Sequence, residues 1–479
     1  MNFGGAEPVP AQAFSERDIA ALNNRLAGDA VHSRHADYED VRRIWNYLID
    51  RRPGVVVRAV TDADVATAIE FAREHGVRLT VRGGGHSLAG YSVVDGGVVI
   101  DLGRMRQVTV DPEAGRVRVG GGCLSADVDR ATQVFGLATP FGTMSQTGVG
   151  GLALGGGMGW LTRKYGLTCD NLISARVVLA DGSAVIANAA ENSDLYWGLR
   201  GAGANFGVVT EFEFATHHVG PTVSVGTALF RRDHAAEVLT RYDQVMSNAP
   251  DDFKVVLYLR RAFAEPGVPD DLVGEPVLAT VSIWLGGDAA DARDINEELW
   301  GTAPRVFADI SPTPFFGLQS INDELLGPGM CNYTKGGYLG GLTADCIDIL
   351  LCAADRLPWP LSVVEISYQH GAQDRLDAAS TAFADRHAEH FINVLSRWNP
   401  DDDRRPLIDW TRETLAATSR WQSGGVYTNF LATDDDHRVK DAYRGGKYER
   451  LAVIKHMFDP DNVFRGSPNI KPVPAKAPN

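Results

Sequence analysis

The amino-acid sequence predicts an α+β protein, in which a β-α-β start is followed by an antiparallel sheet covered by helices. Three observations carry this expectation. Near the start, an apolar stripe at helical spacing lies between two short runs of β-branched residues. After about residue 218 the texture changes to strand-like runs separated by helical patterns and proline clusters. The last segment returns to turn and helix signals. The expected domains are 1–218, 219–425 and 426–479, with the third returning to the first.

Residues 1–50 read as helical, and 55–60 as a strand. Thr61 can cap the next helix, with Asp64 in its first turn. Val65, Ala68, Ile69 and Ala72 share one face, Gly76 stops the helix, and 77–81 returns as a strand. At the end of that strand comes Arg82-Gly83-Gly84-Gly85-His86-Ser87, where ligands commonly sit in α/β units. Strands follow at 97–102, 107–110 and 116–120, then a helix near 124–135 and a second glycine-rich run, Gly148 to Gly159. Asp181-Gly182 suits a two-residue hairpin turn between 175–180 and 183–188. A helix at 194–200 and a strand at 207–214 close the first part. In the second part, 255–260, 278–285 and 361–370 read as strands.

Composition limits the function classes. A chain of 479 residues with 44% hydrophobic and 22% charged residues suits a globular protein with substantial cores. A net charge of −15 argues against nucleic acid or an anionic membrane as partner. No apolar run reaches the ~18 residues of a membrane span. Five cysteines without a CxxC pair suit a reducing compartment. The first residues lack a basic region followed by an apolar one. The expected location is therefore cytoplasmic.

The glycine-rich loops imply a backbone that approaches a ligand closely. They do not form a P-loop, because no Lys-Ser/Thr follows. Gly155 to Trp160 lacks the tight strand–helix setting and the later acidic residue of a Rossmann fingerprint. Two dense glycine runs, one with a histidine beside it, suggest a large ligand with phosphates in the middle and a reactive group at one end.

The motifs resemble those of the berberine-bridge-enzyme-like oxidoreductases, of the vanillyl-alcohol-oxidase type with a PCMH-type FAD-binding domain. Val81-Arg-Gly-Gly-Gly-His-Ser87 resembles the flavin-attachment motif, and Gly142 to Gly151 the second flavin loop. Asp194 to Glu211, Gly425 to Phe430, Tyr448 to Leu451, Phe458 to Arg465 and Asn469 to Pro472 are similar to further signatures. The likeness runs from about residue 50 to 472.

The resemblance implies FAD attached covalently through one histidine, His86, whose neutral imidazole is a competent nucleophile. Many relatives carry a cysteine for a second link where this chain has Met144, so a single link is expected. The same likeness, together with the backbone nest that glycines form for a pyrophosphate, places Arg82, Gly83, Gly84, Gly85, Ser87, Gly142, Thr143, Thr147, Gly148 and Gly150 around the cofactor. Gly207, Val209, Asn429 and Asn469 join them, and Thr147 stands where relatives gate oxygen. Tyr427 in Tyr427-Thr428-Asn429 resembles the base of relatives, and residues two apart on a strand share a face. Its unperturbed pKa of ~10 would have to fall for that role. The alternative is a packing tyrosine whose hydroxyl only hydrogen-bonds. Glu365 is the other catalytic candidate: a base, an anchor for a cationic substrate, or a solvent-facing strand position. Tyr333, Tyr368 and Gln369 are expected to touch substrate, with Lys335 near Tyr333. No metal site is expected; His32 to His35 and His387 to His390 read as solvated helix faces.

The expected reaction is oxidation of an alcohol or amine in a small molecule, a secondary metabolite by the resemblance, with hydride passing to the flavin and O2 giving H2O2. The alternatives are oxidative cyclisation or oxygenation, and sequestration of a drug-like molecule. The sequence leaves the oligomeric state open.

Overall fold

The structure, a computed structural model, describes residues 14–432, 434–465 and 468–474. The opening β-α-β unit is built around a four-stranded sheet in the order Asp29–His32, Val55–Arg58, Val98–Asp101, Leu79–Arg82. Thr61 caps the helix Asp62–Glu74: its hydroxyl accepts from the Asp64 N–H at 3.1 Å, and the Asp64 carboxylate accepts from the Thr61 N–H at 3.1 Å. Val55–Arg58 and Leu79–Arg82 both pair in parallel with Val98–Asp101, which lies between them. Residues 14–50 are less helical than expected. The described part holds the eight-residue helix Glu16–Asn23, and then Asp29–His32 pairs antiparallel with Val55–Arg58. Ala30 and Val31 alone form the buried core of that strand, too short a run to show a period.

A second sheet of five strands runs Val108–Asp111, Arg116–Gly120, Val208–Ala215, Leu172–Val178, Ala184–Asn188. Its last pair is the hairpin expected around Asp181-Gly182. The paired residues end at Val178 and Ala184, so the connection is longer than two residues, with Gly182 at φ 85°.

The third sheet has seven antiparallel strands: Arg305–Pro314, Thr222–Arg231, Pro276–Trp284, Phe253–Arg261, Val363–Tyr368, His390–Trp398, Cys331–Leu339. Helices Ala235–Met246, Ala344–Asp355 and Arg404–Ala417 contribute to the cover on one face, where Leu257, Ile366 and Val394 pack with Tyr242, Leu350 and Trp410. Each large side chain buried there stabilises by about 1.5–3 kcal/mol. Four of these strands escaped the sequence reading. Arg305–Pro314 contains Pro312 and Pro314, which a strand tolerates at a sheet edge, where this one lies. Cys331–Leu339 carries Lys335-Gly336-Gly337, which breaks the apolar run although all nine residues are buried. His390 is not on a solvated helix face; it opens the strand His390–Trp398 and is fully buried.

The final segment packs back on the first part. Lys455 Nζ is buried and donates to Asn205 O (2.5 Å), Asp459 Oδ2 (2.5 Å) and Phe464 O (2.7 Å). Asn205 Oδ1 accepts from the Ile470 N–H at 3.0 Å, and Leu79 bridges Phe464. Among the described residues no helix is long and apolar enough to cross a membrane.

Candidate active site

Between the first part and the seven-stranded sheet lies a cavity of about 1270 Å³. That exceeds the roughly 300–1,000 Å³ of pockets for drug-sized ligands, so it has room for a dinucleotide and a substrate together. One wall carries Gly83, Gly84, Gly85, His86 and Ser87, then Gly142, Thr143, Met144, Thr147, Gly148 and Gly150. Gly207 and Val209 line it toward Leu79 and Phe464. The two glycine loops touch: a Cβ on Gly84 would sit 2.5 Å from the Gly148 nitrogen, and one on Gly148 2.3 Å from the Gly84 nitrogen. The wall is therefore backbone and small hydroxyls. The described carboxylates that line the cavity, Glu265, Glu324 and Glu365, come from the other part of the chain. A surface of peptide groups without anionic side chains suits a pyrophosphate, so these residues fit FAD.

His86 reaches the cavity with its ring stacked on Trp45, centroids 4.8 Å apart and planes 21° off parallel. Enclosure by protein, and then the positive charge of Arg397, push its pKa down to about 4. The imidazole is thus neutral at neutral pH and keeps a nucleophilic lone pair. No cysteine among the described residues lines the cavity. Burial pushes the Cys123 thiol up to about 12 and the Cys169 thiol well above its ordinary value, so neither is a thiolate.

Arg82 and Asn469 do not line the cavity. The Arg82 guanidinium points away from it, donating to Asp101 Oδ2 (2.8 Å) and Val41 O (2.6 Å), and so anchors the root of the glycine loop. Asn469 Oδ1 is buried without a protein partner.

Tyr427 and Asn429 both line the cavity, but not as strand neighbours. Tyr427 is extended, and the 3₁₀ turn Thr428–Phe430 follows it and swings Asn429 back. Asn429 Nδ2 and the Gly157 N–H each donate to Tyr427 Oη at 3.0 Å. Burial pushes the hydroxyl up to about 12, against the pull of Asn429 and of the Gly157 and Met158 backbone donors. Donors to the oxygen favour the phenolate, but burial outweighs them, so the protein alone moves the hydroxyl away from the fall that a base requires. The second glycine run makes these contacts possible: a Cβ on Gly155 would lie 2.1 Å from Asn429 Oδ1, and one on Gly157 2.1 Å from Thr168 Oγ1.

The opposite wall is one face of the seven-stranded sheet. Lys254, Val256, Tyr258 and Arg260 alternate toward the cavity, while Val255, Leu257 and Leu259 face the helices. Glu365 pairs with Tyr258 on one side and Asn393 on the other. Asn393 Nδ2 donates to Glu365 Oε2 at 3.3 Å, and Thr334 donates to Asn393 Oδ1. Glu365 therefore faces the cavity rather than solvent. Burial raises its pKa, against Asn393 and Lys254. Lys254 is buried, pushed down to about 8 first by burial and then by the charge of Arg163, with Glu365 opposing. Lys254, Arg260, Asn393 and Trp45 were missed in the sequence. The alternation Lys254-x-Val256-x-Tyr258-x-Arg260 was the available signal for the first two.

Tyr333, Tyr368 and Gln369 do not reach the cavity. Tyr368 shares a face with Val364 and Ile366 and packs among the helix-side residues with Tyr242. Gln369 lies past the end of Val363–Tyr368 and folds back onto Ser367 Oγ at 2.7 Å. Tyr333 packs with Leu407 and Ile408, its hydroxyl donating to Asp434 Oδ2 at 2.9 Å, and Lys335 pairs with Asp434 and Asp435. For Tyr333 and Tyr368 the parity of the strand sets the face, whereas Gln369 is turned aside because the strand has ended.

Comparison with known proteins agrees with this geometry. A model of the FAD binding domain family matches residues 53–188, and the berberine and berberine-like model matches 426–471. The FAD-linked oxidoreductase pgmH of Aspergillus terreus is 40% identical, over 94% of this chain and 95% of its own. The (R)-6-hydroxynicotine oxidase of Paenarthrobacter nicotinovorans is 28% identical, over 93% of this chain and 97% of its own. The crystal structure of 6-hydroxy-D-nicotine oxidase from Arthrobacter nicotinovorans superposes with a TM-score of 0.84 at 28% identity, covering 94% of this chain and 98% of that one.

Proposed function

Because the chain belongs to the berberine-bridge-enzyme-like FAD-linked oxidoreductases, we propose that it oxidises an alcohol or amine group of a small molecule, with dioxygen as acceptor and hydrogen peroxide as product. Bound FAD supplies the two-electron acceptor. His86 would hold it through one covalent bond, and the glycine loops with Thr143 and Thr147 would surround its pyrophosphate. Tyr427 takes the substrate proton, for which its hydroxyl, pushed up to about 12 in the ligand-free site, must be brought down by the bound flavin and its neighbours. Its hydroxyl already accepts two hydrogen bonds, both from donors, and this single arrangement carries the reading. Lys254 and Glu365 orient the substrate from the opposite wall, and a secondary metabolite with a largely apolar body suits that surface. Two relatives are named as oxidases of small molecules, 6-hydroxynicotine and chitooligosaccharide.

The test is anaerobic mixing of the flavoprotein with a panel of small alcohols and amines. Bleaching of the flavin, followed in air by one peroxide per two-electron oxidised product, is expected. Binding without bleaching across the panel would sink the oxidase reading in favour of sequestration. Labelled oxygen in the product would replace it with an oxygenase.

A further inference from the structure

The face of the seven-stranded sheet turned away from the cavity holds a cluster that the oxidation chemistry does not use. His390 opens the strand His390–Trp398, flanked in register by Tyr368 and Leu339, with the Tyr242 and Tyr368 rings 5.8 and 5.2 Å away. It is fully buried, and neither ring nitrogen has a hydrogen-bond partner. Leaving such a group unpaired costs about 1–3 kcal/mol. Nε2 lies 3.2 Å from Asp243 Oδ1, but the pair is not aligned as a hydrogen bond. Glu389 adds a second carboxylate, and one ligand atom from each of the three residues lies within 4.8 Å of the others.

We propose that Asp243, Glu389 and His390 bind one first-row divalent cation, zinc being the best fit. One imidazole nitrogen and two carboxylate oxygens form a borderline donor set with room for water as a fourth ligand. Ligands about 2.0–2.2 Å from a common ion in a tetrahedron stand about 3.3–3.6 Å apart, and His390 Nε2 and Asp243 Oδ1, at 3.2 Å, are already close to that spacing. Two carboxylates and a neutral imidazole balance the ion's charge. The Leu342 backbone donates to Asp243 and fixes its orientation from behind. Asp243 is one-third exposed, which gives the ion an entry path. The ion would fasten the helix Ala235–Met246 to the start of the strand His390–Trp398. It would be structural, since the sheet separates it from the flavin wall.

The experiment uses the tag-free holoenzyme, dialysed against chelator and titrated with Zn²⁺ by calorimetry, with thermal unfolding followed by circular dichroism. One equivalent should bind and raise Tm. Asp243→Asn and Glu389→Gln, both at partly exposed positions, should each weaken binding at least about tenfold and remove the Tm rise, with flavin content unchanged. X-ray absorption should show one imidazole among oxygen ligands. Absence of a stoichiometric site, or binding unaffected by both substitutions, would overturn the proposal and leave His390 and Asp243 as a simple polar contact.

Discussion

The two glycine-rich segments look alike as sequence and do different work. In Gly83–Gly85 the backbone lines the cavity, with Gly84 packed against Gly148 of the other loop and Gly85 free on its Cβ side. Gly85 adopts φ 69°, and an added Cβ there would meet nothing closer than 3.6 Å. In Gly155–Gly159 the backbone is pressed against other parts of the fold. A Cβ on Gly159 would lie 1.7 Å from the Phe141 carbonyl oxygen, and Gly155 and Gly157 are as tightly confined. The first segment exposes peptide groups to a ligand. The second lets the chain pass close under Tyr427 and deliver the Gly157 N–H to its hydroxyl. Glycine density therefore reports close approach, and the neighbour decides what is approached: the cavity in one segment, the Tyr427 hydroxyl in the other.

The largest effect belongs to the first segment. His86→Ala should leave FAD extractable, so acid-precipitated protein turns from yellow to colourless; retained colour would place the bond elsewhere. Next, Tyr427→Phe should keep the flavin attached yet lower the rate of anaerobic bleaching by about 10²–10⁴-fold. A rate within a fewfold of the parent would show that the second segment serves packing alone. Substitution of the glycines themselves separates the segments in stability. Gly159→Ala should cost about 3 kcal/mol in denaturant unfolding through overpacking, against about 1–2 kcal/mol for the left-handed strain of Gly85→Ala; equal costs would erase the distinction.

The smallest effect concerns the wall that both segments face. Lys254 has its pKa lowered to about 8 from 10.5 by burial. Between those values the unfolded chain holds a proton that the folded chain has released, so in the ligand-free wall stability rises with pH across that window. Lys254→Met should flatten the rise in Tm between pH 8 and 10. An unchanged slope would show that Lys254 does not titrate in that window.

What the sequence revealed was what is local in the chain. The helix cap at Thr61, the loop carrying His86 and the pairing of Tyr427 with Asn429 are set by residues a few positions apart. What it hid depends on distant partners. Tyr368 and Glu365 are three residues apart, but only the helices packed behind the sheet decide that Glu365 faces the cavity and Tyr368 does not. Trp45 matters because the fold stacks it on His86, and nothing in its own neighbourhood announces that. Asn429 reaches Tyr427 through a turn rather than along a strand, so the right pair was found with the wrong geometry.

The bridge between Leu79 and Phe464 ties the third strand of the chain to its C-terminal segment, and both residues line the cavity. During synthesis the glycine loops and His86 leave the ribosome long before Phe464 and the Lys455 anchor exist. A cofactor docked early would meet an unfinished container. The capture proposed for His86 thus waits on the segment around Phe464, which closes the cavity from the far side of the chain.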